Sequence, residues 1–85
     1  MISTSSRRLA RQADDAASAA VRGATSIHDT VLQSVAFDAA IHADDAAVLA
    51  LAAVDGTEQD ALELHVRAAL AHADAVLRLT SRAAS

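Results

Sequence analysis

A chain of 85 residues with 53% hydrophobic content and a formal net charge of −4 has room for one core, and its acidic balance argues against the basic stripe of a nucleic-acid binder. It contains no cysteine and no proline, so disulfides and thiolate metal sites are excluded, and no run approaches the roughly 18 apolar residues of a membrane span. The apolar fraction is mostly Ala, with Phe37 the one aromatic residue, so a thin core and closely spaced helices are expected.

In chain order, Ser3 to Ser6 offers several N-caps, and the run that follows to about Arg22 puts Leu9, Ala13, Ala16, Ala17 and Ala20 on one face, which Ile2 extends. Arg7, Arg8 and Arg11 cluster, but Asp14 and Asp15 follow them directly. Arg11, Asp15 and Arg22 mark the solvated side. Met1 to Arg11 has no apolar block behind its paired arginines, which is not a secretory pattern, and a soluble cytoplasmic protein is the expectation. The basic residues are all Arg, which with so much Ala and Asp suggests a GC-rich bacterial source. Gly23 reads as a break, because Ser26-Ile27-His28-Asp29 resembles a fresh N-cap with an acid at the third helical position.

The second run, from about Ile27 to Ala53, has a seven-residue repeat of Ile27, Ser34, Ile41 and Val48 with Thr30, Phe37, Asp44 and Leu51, read as the packing stripe, with Asp44 as a misfit. Asp55-Gly56 ends it and Thr57 caps the next helix, from about Glu58 to Ser81. That helix places Leu62, Val66, Ala69, Leu70, Ala73, Val76, Leu77 and Thr80 on one face, and Glu63–Arg67 and Asp74–Arg78 on a polar row in the favoured acid-before-base order. Leu32, Val54 and Leu64 lie off the main stripes. The expectation is an all-α single domain over 1–85, a three-helix bundle with helices at about 5–22, 27–53 and 58–81, built on an antiparallel hairpin and associating into a larger bundle.

Two constellations carry candidate chemistry. Asp38, His42 and Asp45 share one side of the second helix, a spacing that suits a divalent metal or poises the imidazole as a base; the competing reading is a solvated pairing row. His65 and His72 add ligands only where their side meets His42, and two turns separate them, roughly 10 Å, too far to reach one ion together. No Gly-rich phosphate loop is available with Gly23 and Gly56 alone.

The second constellation is Arg67-Ala-Ala-Leu-Ala-His72. With the run from Ala39 to Ala50, Gly56 and Gln59-Asp60, it resembles the HEPN superfamily, small all-helical domains of bacterial toxin-antitoxin and defence systems, many of them metal-independent ribonucleases. The resemblance implies that Arg67 holds a phosphate and that His72 assists transfer of the ribose 2′-hydroxyl proton. Ala68 stands where that family prefers a polar residue and Asp74 where many members carry Tyr, which points to a degenerate, non-catalytic member. The leading expectation is a non-enzymatic, homo-oligomeric interaction module that binds another protein, with no cofactor, no membrane contact and no nucleic acid. The alternatives are a HEPN-type ribonuclease and a His/Asp metal-binding bundle.

Overall fold

Alanine has the highest intrinsic helix propensity, and the Ala-rich runs fold as three helices: α1 (Thr4–Thr25), α2 (Thr30–Gly56) and α3 (Gln59–Ala84). The computed structural model describes residues 4–56 and 59–84, and among these there is no strand. The expected roles of Ile2 and Ser3, the Thr57 cap and the Glu58 helix start lie outside the described residues.

The α1–α2 turn corrects the expected boundaries. α1 continues through Gly23 to Thr25, and α2 begins at Thr30, not Ile27. Ser26 belongs to the end of α1: its amide donates to the Arg22 and Gly23 carbonyls, and its Oγ donates to Gly23 O at 2.6 Å. The α2 N-cap is Asp29, whose Oδ1 accepts the Leu32 amide at 3.0 Å, three residues on, while its carbonyl accepts the Gln33 amide. Gln33 Nε2 donates back to the Ile27 carbonyl at 3.0 Å, and the Ile27 side chain is buried as a plug at this end of the bundle. Gly23 lies inside the helix, facing α3, and forms no turn. A Cβ there would meet Thr80 Cγ2 at 3.4 Å, so α1 and α3 approach closely at this point. At the other end of the hairpin α2 runs past the expected stop at Ala53 to Gly56.

The cap assignment has a direct test. Asp29→Ala is expected to lower stability by about 1 kcal/mol, the usual value of a lost N-cap. Ser26→Ala, at an exposed site closing α1, is expected to cost about half that or less. Urea midpoints of the two variants measure the order, and a larger loss for Ser26→Ala would return the cap to that residue.

Contacts at the ends set the topology. Ser6 Oγ donates to Gln59 Oε1 at 3.0 Å, joining the start of α1 to the start of α3, and Gly23 joins their ends, so these two helices are parallel. Leu51 and Val54 line a cleft of about 270 Å³ with Arg7, Ala10 and Arg11, so α2 runs antiparallel to α1. The result is an up-down-up three-helix bundle, a rod of 46 × 17 × 15 Å in which all three pairs pack and α2 with α3 most extensively. The antiparallel α2–α3 hairpin is therefore the frame on which α1 lies.

The core is built from methyl groups. Thirteen of the eighteen buried hydrophobic residues among those described are Ala, and just five are larger: Ile27, Val54, Leu62, Val66 and Val76. On α1 the expected face is correct, with Ala13, Ala17 and Ala20 buried and Leu9 and Ala16 packed beside them. On α3 it is correct apart from Leu77, which is exposed. On α2 the expected stripe is wrong apart from Phe37, which packs half-buried against the core, and Ile27, which is buried ahead of the helix. The helix buries Ala36, Ala40, Ala43, Ala47, Ala50 and Val54, and turns Ser34, Ile41, Asp44, Val48 and Leu51 to solvent. Asp44 is thus no misfit, and Val54, off the expected stripe, is core. Small side chains let helix axes come close enough for dense contact, and close contact here outweighs the area that the larger residues offer.

Candidate functional site

The regular backbone of α2 sets Asp38, His42 and Asp45 on its exposed side, as the spacing requires. His42 Nε2 lies 4.0 Å from Asp38 Oδ2, with the two side chains 59% and 81% exposed, so water screens the pair and it contributes little. Asp45 does not join them. Among the described residues no group of three His, Asp or Glu side chains stands close enough to hold a metal ion.

α3 brings one histidine to this place. His72 meets His42 across the α2–α3 groove, ring centroids 5.3 Å apart and planes tilted by 32°. This separation is that of an offset aromatic contact, and it answers the condition set by the sequence: His72 faces His42, whereas His65, two turns away, takes no part in that contact. Two imidazoles and one carboxylate stand together on this open surface. They lack the enclosure that would give them a defined reaction.

Arg67 and His72 diverge. α3 is unbroken between them, which sets them about 140° apart around the helix axis. Arg67 is exposed, while His72 is half-buried against α2. One chain does not converge them on a single phosphate. Of the expected helical ion pairs, Asp74–Arg78 closes at 3.0 Å, whereas Glu63–Arg67 and Arg11–Asp15 do not come within ion-pair distance.

An open cleft of about 420 Å³ lies at the end of the bundle, lined by His28, Asp29, Leu32 and Thr80 among others. Its Asp29 carboxylate is engaged as the α2 cap, and the hydroxyls that line it are engaged with backbone, Ser26 Oγ donating to the Gly23 carbonyl and Thr80 Oγ1 to those of Val76 and Leu77. Every buried side-chain nitrogen and oxygen among the described residues has a hydrogen-bond partner, so no orphaned polar group points to a ligand.

The feature that stands out is apolar. Nine large hydrophobic side chains are exposed among the described residues, against five that are buried. Six of the nine lie on α2: Val31, Val35, Ile41, Val48, Leu49 and Leu51, with Val31 71% exposed and Ile41 56%. Of Leu32, Val54 and Leu64, which sequence reading placed off the main stripes, only Leu64 is exposed; Val54 is buried and Leu32 half-buried against the core, and Val31, Val35 and Leu49 were missed. Their signal was present, because apolar residues occur all round α2, as in a helix covered on more than one side. No helix among the described residues is long and apolar enough to cross a membrane. Comparison with family models, with characterised proteins and with solved structures finds no match.

Proposed function

We propose that the chain is a non-enzymatic helical interaction module that binds another protein and self-associates. The observation that carries this reading is the number of large apolar side chains left in water: nine are exposed among the described residues, against five buried and five more half-buried against the core. A monomer gains nothing from hydrophobic side chains in water, whereas a contact surface gains in proportion to the area it covers. The Ala core adds support, since conformational entropy cancels most of what so thin a core supplies, and association is a common remedy in small domains.

The two exposed apolar faces differ in charge. On α3, Leu64 and Leu77 stand among Glu63, Arg67, Asp74 and Arg78, where acid and base alternate. Two copies can face each other there without like-charge repulsion, and this face suits self-association. Sedimentation velocity at micromolar concentration is expected to show a dimer or larger species, and Leu64→Glu with Leu77→Glu is expected to shift it towards monomer with the helical circular dichroism retained. A folded wild-type monomer that also fails to bind any helical peptide would remove the reading.

A further inference from the structure

The groove between α2 and α3 brings together two metal-ligating side chains that neither helix holds alone. His42 of α2 and His72 of α3 meet there with ring centroids 5.3 Å apart. Because the two helices are antiparallel, this pair also sets their register: two turns along in either direction, Val35 lies at the height of Leu79 and Leu49 at the height of His65. Of these three layers, the middle one has an imidazole from each helix. From this juxtaposition we infer that His42 and His72 together chelate one divalent transition-metal ion of the class of zinc, nickel or copper, with water in its remaining positions, and so clip the middle of α2 to α3. The site does not rest on the reading of the chain as an interaction module.

The spacing suits a shared ion. With nitrogen–metal bonds of about 2.0–2.1 Å at a tetrahedral angle, two imidazoles on one ion have centroids roughly 5 Å apart, so the observed separation asks for rotation of the rings and no movement of the helices. His42 is 59% exposed and has room to turn, while His72 is half-buried against α2. Two ligands already carried by packed helices lose little freedom when the ion arrives, which favours a chelate. Charge selects a cation. Within four residues of either histidine on its own helix the charged side chains are Asp38, Asp44, Asp45 and Asp74, with no Lys or Arg, and Asp74 is already paired with Arg78. Asp38 Oδ2, 4.0 Å from His42 Nε2, is near enough to accept a hydrogen bond from water on the ion, a common support for a histidine ligand. Imidazole suits zinc, nickel and copper, whereas calcium and magnesium take oxygen ligands. Ala71 and Ala75, both exposed, stand beside His72 with methyl groups, so the outer side of the site is open to water.

The test follows the melting of the whole chain by circular dichroism with zinc, with nickel and with magnesium. Zinc or nickel at about one hundredfold its dissociation constant is expected to raise the melting temperature by on the order of 10 °C, and magnesium to leave it unchanged. Calorimetric titration is expected to give one ion per chain, with weaker binding in acid, because a protonated imidazole has no lone pair for the ion. His42→Ala and His72→Gln are each expected to abolish the rise while the helical circular dichroism is retained, and His65→Ala, one layer away, to keep it. In the wild-type chain zinc is expected to shift the ring-proton resonances of His42 and His72 and to leave those of His28 and His65 in place, a readout that depends on no variant's stability. The absence of a rise in the wild-type chain overturns the inference. A rise that survives His72→Gln overturns it by assigning the ion to α2 alone. Loss of the rise in His65→Ala, or one ion for every two chains, overturns it by showing ligands that this pair does not contain.

Discussion

Leu62→Ala is expected to cost about 2–5 kcal/mol, the range for removing a fully buried Leu, and so to leave much of the chain unfolded at room temperature. Leu62 is 1% exposed and, with Val76, is one of the two largest fully buried side chains. In a core that is otherwise mostly methyl groups, its loss removes a large share of the area withheld from water. Neighbouring Ala residues have no spare side-chain length with which to close the cavity. A bundle of this size has little stability in reserve, so the loss is comparable with the whole. Circular dichroism at 222 nm against temperature checks this. Leu64→Ala, the same change on the same helix at 65% exposure, is the control and is expected to stay within about 0.5 kcal/mol in dilute solution. Equal losses at the two positions would mean that Leu62 does not sit in the core.

Ala43→Leu is expected to be nearly as damaging, although it adds hydrophobic area. Ala43 is fully buried in the row of Ala residues along the inner face of α2. An isobutyl group placed there has no room while the helices keep their spacing, and overpacking costs about 1–3 kcal/mol or more. For a domain of this size that is a fall in melting temperature on the order of 10 °C, with a broader transition. The opposite exchange on the outer face, Ile41→Ala, removes a larger side chain and is expected to leave the melt almost unchanged. Had the seven-residue stripe through Ile41 been the packing face, the two results would be reversed. The pair of variants therefore measures directly which side of α2 is core.

The candidate site was less legible than the fold. That Arg67 and His72 diverge follows from 100° per residue on an unbroken helix, and the chain itself shows that α3 is unbroken over this stretch. The Asp38–His42 neighbourhood also follows from spacing. The meeting of His42 with His72 does not, because it depends on how far α2 and α3 slide along each other, a register that no local pattern records. The exposure of Val31, Val35 and Leu49 was hidden for a related reason: when apolar residues occupy every side of a helix, periodicity does not select the side that faces inward.

What the sequence by itself determined is the number of helices, their approximate extents, and the buried faces of α1 and α3. These follow from propensity, capping chemistry and a single apolar stripe, all carried by residues within a few turns of one another. The tertiary structure decided three further things. It ran α1 through Gly23, where Thr80 and Val76 of α3 pack against the helix. It moved the α2 cap from Ser26 to Asp29, because Ile27 is drawn into the core and its carbonyl is held by Gln33. It put mostly Ala inside α2, with Val54 buried and Leu32 and Phe37 half-buried, and left Val31, Val35, Ile41, Val48, Leu49 and Leu51 outside, because the close approach of two neighbouring helices admits methyl groups more readily than larger side chains.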